Sequence, residues 1–501
     1  MTRFMLFPAS ARSRRALPIP LIAFAAASAL AQGGPLRTQA FDRDPGWDGH
    51  NNRSARADSR TVKQDFGWSP TRHAGGVGGE IGGLVTPAAE PARYALPINY
   101  LTFEDGLVAS GRIAVGTPGK EGDGGCNTLI GFFNSDTARE WRTPNSVFFR
   151  VNGRGDVFHA HVEYCSSKWR AGGDVIKRRV PKGEPAPFME FPTHGTTHRW
   201  SLRYDPKGGA GRGEITLTVD QEQISIRLEP GHRRDGIQVN RFGILNVMKS
   251  VDGGGSIWLD DLTVNGIPWD FEKDPGWEGR GNRTTLKTSH IRPRFDFGYS
   301  NTRHAGGMGS GEVGGLFYRG DCRYPNSVAA YGDRLQPMDM SSPLHASGRV
   351  VLRRGVTDST VLLGFYNARD SLRVHDSQST GFPESFLGMA IEGPSSEGFF
   401  FYPCYHARPG NQGYGSGLDR PRIYPDGVSH SWSMDYDPAG MGGQGLIRVV
   451  FDGKAYSMPL LPGHKEGAVQ FDRFGFVTTW VDGNGQEVYV DDLQYSGKAA
   501  P

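Results

Sequence analysis

The chain has 501 residues, of which 37% are hydrophobic and 22% charged, and this length is enough for two or three domains. Lysine and arginine total 56 against 53 for aspartate and glutamate, but four of the arginines fall within residues 1–31, so the rest of the chain has 52 against 53, a net charge of −1. A nearly neutral chain argues against nucleic acid as a partner, because phosphate binding needs a concentrated basic surface.

Residues 1–31 have the pattern of a secretory signal peptide. Four arginines accompany an apolar run at 16–31, which ends in the small-residue sequence Ala29-Leu30-Ala31. An uncleaved anchor is the alternative, although the run is short for a spanning helix and contains two prolines. No later segment is long and apolar enough to predict a membrane span. We therefore expect a secreted or periplasmic protein, with residues 32–40 as the lead-in of the mature chain.

The rest of the sequence contains one unit written twice. DPGWDGHNNR at 44–53 returns as DPGWEGRGNR at 274–283, and HRWSLRYDP at 198–206 returns as HSWSMDYDP at 430–438. The matched segments keep an offset of 230–233 residues, which indicates a duplicated domain and not a short structural repeat. We predict domains over residues 41–268 and 269–498, packed against each other because almost no linker separates them.

Both units have the pattern of short β-strands. Apolar and polar residues alternate around a polar turn in EITLTVDQEQISIRL at 214–228 and in LIRVVFDGKAYSMPL at 446–460. Such alternation predicts hairpins. The 71 glycines and 33 prolines suit many turns. Together these features predict an all-β fold made of two tandem jelly-roll β-sandwiches.

The second half of each unit resembles the concanavalin A-like lectin/glucanase sandwiches. The resemblance rests on a W-x-x-x-Y-D-P strand at 200–206, a Gly-rich loop at 208–213, the hairpin at 215–228 and a last strand with paired aspartates at 257–262, with counterparts in the second unit. It implies the fold, and a superfamily that includes lectins, glycoside hydrolases, polysaccharide lyases and adhesive domains. The E-x-D-x-x-E signature of laminarinase-like hydrolases and the R-x-E-x-R and Q-x-H strands of alginate lyases are absent, so no enzyme family is identified.

A Gly-rich stretch recurs as TRHAGGVGGEIGG at 71–83 and TRHAGGMGSGEVGG at 302–315. Each copy keeps one histidine and one glutamate, and these pairs are candidates for acid–base chemistry or metal binding: His73 with Glu80, and His304 with Glu312. The alternative is structural, with the glutamate paired to a buried arginine, such as Arg53 or Arg283, and the histidine capping a turn. Retention in both copies favours the structural role, because a fold-forming contact is needed twice.

The last strand of each unit carries two adjacent aspartates, which are Asp260, Asp261, Asp491 and Asp492. Neighbouring residues on a strand face opposite ways, so one of each pair points inward. Oxygen ligands there would suit a structural Ca²⁺, with hydrogen bonding to a turn as the alternative. No other cofactor is required. Cysteine bridges Cys126–Cys165 and Cys322–Cys404 would place one disulfide in each unit, which export permits.

The most suggestive stretch, VFHAHVEYC at 157–165, occurs in the first unit alone. His159, His161 and Glu163 lie at positions i, i+2 and i+4, so they share one face of a strand whose other face is apolar. Such a face could chelate a metal or supply an acid and a base, and a solvated surface is the alternative. The second unit has GFFFYPCYHAR at 398–408 instead.

The predicted catalytic residues are His159, His161, Glu163, Tyr164 and Glu140. The predicted substrate-binding residues offer rings that stack on sugars and cations that hold carboxylates, and they are Arg150, Trp141, Lys168, Trp169, Arg170, Tyr402, Tyr405, His406 and Arg408. In a hydrolase, Glu163 and Glu140 would flank the glycosidic bond. In a lyase, His161 or Tyr164 would remove a proton while Arg150 or Arg170 neutralises a uronate.

These features predict an exported protein that degrades a polysaccharide, as a hydrolase or a lyase, on the concave face of the first domain near the second. The alternative is a non-catalytic carbohydrate-binding or cell-surface adhesion module. A metal-dependent oxidoreductase is a third hypothesis, but paired histidine clusters are missing from one half. The expected partner is a glycan.

Overall fold

The computed structural model describes residues 35–53, 60–116, 127–139, 142–248, 253–288, 295–375, 381–393, 396–466, 469–481 and 483–500. The predicted signal peptide, Cys126, Glu140 and Trp141 lie outside these ranges. Within them, no helix is long and apolar enough to span a membrane. The described chain is nearly all β, as the alternating patterns predict.

The strands are β1 (Leu36–Gln39), β2 (Asp48–His50), β3 (Arg60–Ser69), β4 (Glu80–Val85), β5 (Arg93–Leu101), β6 (Leu107–Val115), β7 (Asn127–Phe133), β8 (Ser146–Arg154), β9 (Val157–Cys165), β10 (Ala171–Val175), β11 (Phe191–Pro192), β12 (Thr197–Asp205), β13 (Glu214–Val219), β14 (Glu222–Arg227), β15 (Val239–Asn246), β16 (Gly255–Val264), β17 (Ile267–Trp269), β18 (Glu278–Arg280), β19 (Arg283–Thr288), β20 (Asp296–Ser300), β21 (Glu312–Tyr318), β22 (Ala330–Asp339), β23 (Leu344–Gly355), β24 (Thr360–Tyr366), β25 (Phe386–Glu392), β26 (Phe400–Arg408), β27 (Asn411–Tyr414), β28 (Ser429–Asp437), β29 (Leu446–Phe451), β30 (Lys454–Pro459), β31 (Gln470–Val477) and β32 (Gly485–Ser496). Two one-turn helices, α1 (His232–Asp235) and α2 (Gly440–Gly443), and two 3₁₀ turns, Gly209–Gly211 and Pro325–Ser327, interrupt them.

The described strands form four sheets, which pack in pairs as two β-sandwiches. In sandwich 1, sheet 1a has the order β14-β13-β12-β6-β16-β4-β3-β19 with β17 beside β16, and sheet 1b has the order β10-β9-β8-β7-β15-β5-β18 with β11 beside β9. In sandwich 2, sheet 2a has the order β20-β21-β32-β23-β28-β29-β30 with β1 beside β32, and sheet 2b has the order β2-β22-β31-β24-β25-β26-β27. All the pairings between these strands are antiparallel.

The core of each sandwich follows from alternation along its strands. In β13 the apolar residues Ile215 and Leu217 are fully buried against sheet 1b, whereas Thr216 and Thr218, which alternate with them, are partly exposed. Two sheets that meet in this way bury one face each. A further apolar cluster covers the outer face of sheet 1b around Leu129 and Phe148, and another covers sheet 2b around Leu362. The outer faces of both b sheets are therefore partly covered.

The chain segments that complete the two sandwiches are exchanged. Strands β18 and β19 pair with β5 and β3 of sandwich 1, whereas β1 and β2, near the start of the chain, pair with β32 and β22 of sandwich 2. The sheets therefore do not change at residue 268, where the sequence places the domain junction. We call residues 36–53 the N-terminal clasp, because they close the sandwich formed by residues 295–500.

The two copies of the DPGW motif show the exchange most directly. Trp47 lies in the core of sandwich 2 and Trp277 in the core of sandwich 1. The clasp side chain Asn52 donates to the carbonyl of Phe297 at 2.6 Å, and its counterpart Asn282 donates to the carbonyl of Phe66 at 2.5 Å. The first DPGW motif thus completes sandwich 2, and the second DPGW motif completes sandwich 1.

The predicted disulfides are not formed. Cys165 and Cys404 are buried free thiols. Cys404 lies beside Gly388 in sheet 2b, and Cys165 lies beside Ser146 at one end of β8. Cys165 and Cys404 therefore occupy different places in their sheets.

Candidate functional site

The predicted histidine strand is β9, which lies between β8 and β10 in sheet 1b. Phe158, Val162 and the residues alternating with them enter the core of sandwich 1. The side chains of His159, His161 and Glu163 therefore lie together on the outer face of sheet 1b. We call these three residues, with Arg150 on β8, the β9 face.

A buried ion pair occupies one end of the β9 face. Arg150 Nε donates to Glu163 Oε1 at 2.7 Å, and Arg150 Nη1 donates to Asn127 Oδ1 at 3.1 Å. The side chains of Arg150 and Glu163 are 11% and 6% exposed. Burial opposes ionisation of Glu163, but the charges of Arg150 and Arg142 outweigh it and lower its pKa to about 2. Glu163 is therefore an anion at neutral pH and cannot act as a proton donor.

The two imidazoles of the β9 face lie beneath an aromatic ring. The segment after β10 turns back so that Phe188 pairs with Lys177 and places its ring edge-on to His159 and His161, at 5.4 and 6.0 Å between centroids. The ring of Phe188 is 44% exposed. Within the described residues, Nδ1 of His159 and Nε2 of His161 are buried and make no hydrogen bond.

Both imidazoles are neutral at physiological pH. Burial, together with the charge of Arg150, lowers the pKa of His161 to about 3. Burial, together with the charge of Arg154, lowers the pKa of His159. A neutral imidazole has one nitrogen that accepts a proton or a hydrogen bond. The β9 face therefore combines two such acceptors with a nearby guanidinium.

The structure corrects the assignment of Tyr164 as a catalytic base. Its side chain points away from the β9 face into the core, where its hydroxyl bonds His232 Nδ1 at 2.9 Å and accepts from the Glu229 N–H at 2.9 Å. Burial raises its pKa. The alternation that brings His161 to the outer face necessarily turns Tyr164 inward.

The basic and aromatic residues after β9 are also corrected, because they lie at the junction between the sandwiches and not on the β9 face. Trp169 stacks on Tyr424 with 5.8 Å between ring centroids, and Lys168 Nζ lies 5.6 Å from the same ring. Arg170 Nε donates to Asp235 at 2.5 Å. These contacts fix the β9–β10 loop against sandwich 2.

The four predicted binding residues of the second unit do not form a common surface with the β9 face. In sheet 2b, Tyr402 is fully buried and donates to Glu392, which also accepts from Arg319 at 2.9 Å. His406 is buried and bonds the carbonyl of Phe382 through Nδ1 at 2.7 Å. Tyr405 points into the core and bonds His464, and Arg408 is exposed at the strand end. Tyr402, Tyr405 and His406 are therefore engaged in contacts within sandwich 2.

The recurring Gly-rich stretch is held by its glutamate. Glu80 is fully buried and accepts from the N–H groups of His73 and Ala74, both at 2.8 Å. Glu312 accepts in the same way from the N–H groups of His304 at 2.8 Å and Ala305 at 2.7 Å. The carboxylate thus binds backbone, where the structural hypothesis expected an arginine. The rings of His73 and His304 contact Trp258 and Tyr489 in tilted geometry, at 4.5 and 4.7 Å between centroids.

The paired aspartates form a bulge in the last strand of each sandwich. Asp261 and Asp492 adopt φ near +50°, and the strand register shifts at that point. Asp260 and Asp491 are buried, and burial raises the pKa of each to about 6. Among the described residues, no group of three or more histidine, cysteine, aspartate or glutamate side chains is placed to hold a metal ion. The calcium site stays a prediction.

Sequence reasoning missed a charged cleft at the junction of the sandwiches. The cleft has a volume of about 350 Å³, and its charged lining residues are Glu90, Arg139, Arg353, Arg354 and Glu487. One signal was available, because Arg353-Arg354 interrupts an apolar strand where the first unit has Gly116-Thr117.

Comparisons with known proteins leave the family open. No family model matches the chain, and no curated protein matches it. Among solved structures, the Emp47p carbohydrate recognition domain is 11% identical with a TM-score of 0.26, over 40% of this chain and 89% of that chain. An endo-β-1,4-glucuronan lyase from the fungus Trichoderma reesei is 11% identical with a TM-score of 0.28, over 42% and 90%. Domains LG4-5 of mouse laminin α1 are 12% identical with a TM-score of 0.19, over 83% and 84%. At these scores the matches assign no function.

Proposed function

We propose that the protein cleaves a uronate-containing polysaccharide by β-elimination at the β9 face, acting outside the cytoplasm after loss of residues 1–31. The observation that carries this proposal is the pair of neutral imidazoles, each with a buried ring nitrogen that has no hydrogen-bond partner among the described residues. They lie beside Arg150, whose charge favours a carboxylate.

In this elimination, His161 transfers the proton and the neighbouring arginines stabilise the negative charge. His161 Nε2 accepts the proton from the carbon next to the uronate carboxylate, and the electron pair forms a carbon–carbon double bond as the glycosidic C–O bond breaks. The leaving oxygen takes the proton from the imidazolium just formed. The positive charges of Arg150 and Arg142 stabilise the charge that develops on the carboxylate. A bound uronate also raises the pKa of His161, because an opposite charge favours the imidazolium.

Hydrolysis is the less favoured chemistry at the same place. A hydrolase needs one carboxyl group that is protonated when the bond breaks. Glu163 is held as an anion by Arg150, with a pKa of about 2. Glu140, the other predicted carboxyl, lies outside the described residues. Elimination uses imidazoles and a guanidinium, and the β9 face contains both kinds of group.

Carbohydrate binding without catalysis is the second candidate. The exposed ring of Phe188 favours a binding role, because an aromatic face offers a sugar ring a stacking surface. This ring lies over the hydrogen-bond acceptors of His159 and His161. This candidate predicts retention on a glycan without any product.

The test is a product assay on the mature chain with uronate-containing and neutral polysaccharides. Elimination gives products with ultraviolet absorbance from the new double bond and a mass one water below that of hydrolysis products. We expect His161→Ala to lower the rate by about 100-fold or more. His345→Ala, a half-buried histidine paired with Asp435 in sheet 2a, is the matched control and should retain activity. Products with an added water, or an active His161→Ala variant, would overturn the proposal, and retention without product would favour the binding module.

A further inference from the structure

The junction cleft is separate from the β9 face. It lies between the Ala89–Pro91 segment and Arg139 of sandwich 1 and strands β23 and β32 of sandwich 2. The Ala89–Pro91 segment precedes β5, which is four strands from β9 in sheet 1b. At about 4.8 Å between strands, the cleft is roughly 20 Å from His161. Its volume of about 350 Å³ falls within the range of small-molecule sites.

Arg353 is fixed in the cleft by two partners. Its Nη1 lies 3.0 Å from Glu487 Oε1 and 2.9 Å from Nε2 of His304. The ring of His304 in turn packs against Tyr489 at 4.7 Å between centroids, so the guanidinium is oriented before any ligand arrives. A guanidinium that is already ordered loses less conformational freedom on binding an anion.

The other two arginines complete a basic wall. Arg354 donates from Nη2 to the carbonyl of Ala89 at 3.3 Å, a contact that crosses from sandwich 2 to sandwich 1. Arg139 is exposed, and among the described residues no ion pair holds it. Three guanidinium groups thus face two carboxylates, those of Glu90 and Glu487.

The fold itself does not require these charges. In sheet 2a, Arg353 and Glu487 lie next to the paired residues Leu352 and Val488. The corresponding pair in sheet 1a is Val115 and Ile257, and the residues next to it are Gly116 and Ser256. There the Gly116 N–H bonds the Ser256 carbonyl at 2.8 Å and closes the sheet without any charge. A charged cluster present in one sandwich and dispensable in the other indicates a binding role.

We infer that the junction cleft is a second glycan site, which binds the carboxylate or sulfate groups of an acidic saccharide. The guanidinium forks match the oxygen geometry of both anions. The carboxylates of Glu90 and Glu487 supply acceptors for the hydroxyl groups that accompany an anionic group on a sugar. A saccharide that carries both features fits the mixed lining better than a bare anion does. This site does not depend on elimination at the β9 face.

The test is isothermal titration of the mature chain with a uronate trisaccharide, a sulfated disaccharide, a neutral trisaccharide and inorganic sulfate. We expect binding of one or both acidic saccharides that weakens with salt, and no binding of the neutral one. Arg139→Gln/Arg353→Gln should weaken that binding by about tenfold or more. Arg448→Gln, an exposed arginine on β29, is the matched control.

The outcomes separate the two proposals. Unchanged affinity in Arg139→Gln/Arg353→Gln, binding of inorganic sulfate as tight as that of the saccharides, or no binding of either acidic saccharide would overturn the cleft assignment. Arg139→Gln alone keeps the test valid if the double variant does not fold, since Arg139 is exposed. Loss of elimination in His161→Ala with cleft binding intact would confirm that the two sites are independent.

Discussion

Replacing Trp47 with alanine tests the exchange of chain segments between the sandwiches. Trp47 belongs to the N-terminal clasp and is 7% exposed. Its ring contacts Phe41 at 5.4 Å, Tyr331 at 5.6 Å and Tyr495 at 6.2 Å between centroids, and the last two are on strands of sandwich 2. The substitution should therefore loosen sandwich 2 and leave sandwich 1 intact, although residue 47 precedes all of sandwich 1 in the chain.

The size of the effect follows from burial. A buried tryptophan removes about 150–250 Å² from water, which at about 25 cal/mol per Å² is roughly 4–6 kcal/mol. Measured substitutions of buried tryptophan by alanine cost about 3–5 kcal/mol. We expect the free energy of unfolding of sandwich 2 to fall by about 4 kcal/mol.

Hydrogen exchange read by mass spectrometry locates the effect. Trp47→Ala should lower the protection of β22 and β32. Trp277→Ala, the matched variant, should lower that of β5 and β15. The reverse pattern would mean that each motif serves its own half of the sequence, and a loss below about 1 kcal/mol would mean that the clasp does not hold the sandwich.

Four further predictions concern buried carboxylates. Glu80→Ala leaves two backbone N–H groups without their acceptor and should lower the free energy of unfolding by roughly 3 kcal/mol, whereas Glu80→Gln, which keeps one acceptor, should cost less; urea unfolding measures both. Arg150→Met removes the ion-pair partner of the buried Glu163. This substitution should lower the free energy of unfolding by about 3–5 kcal/mol at pH 7. The folded pKa of Glu163 is about 2, below its ordinary 4.5. The ion pair therefore stabilises the wild type above pH 4.5, and this stabilisation is lost as the pH falls to 2. Glu163→Gln should remove that part of the acid unfolding profile. The pKa of Asp491, about 6, lies above its ordinary 3.8, so its ionisation lowers stability as the pH rises from 3.8 through 6; Asp491→Asn should stabilise the chain more at pH 8 than at pH 4, and an equal effect at both would contradict this.

The strands and their faces are the features that the sequence predicts well. Both predicted hairpins form, as β13–β14 and β29–β30, with Asp220 and Asp452 at φ near +50° in their turns. Alternation is a local signal, and the turn residues lie next to the strands they connect. The same local signal places His159, His161 and Glu163 on one side of β9.

Contacts between distant segments could not be predicted in this way. The two DPGW motifs are nearly identical, so nothing in either motif says which sandwich it joins. The partner of Glu80 is the backbone of a loop, which has no sequence signature. The ion pair between Arg150 and Glu163 could not be predicted either, because it depends on the register of β8 against β9. Each of these features is decided by packing between segments far apart in the chain.

The N-terminal clasp also affects the order in which the chain can fold as it is synthesised. Residues 60–288 hold all the strands of sandwich 1, whereas sandwich 2 joins β1 to β32, and the Gly497 N–H bonds the Pro35 carbonyl at 2.9 Å. Strand β1 must therefore wait until β32 has been made. A circularly permuted chain that links residue 500 to residue 35 and starts at residue 295 would make each sandwich continuous in sequence. In that chain, the completion of sandwich 2 would no longer require β1 to pair with a strand made much later.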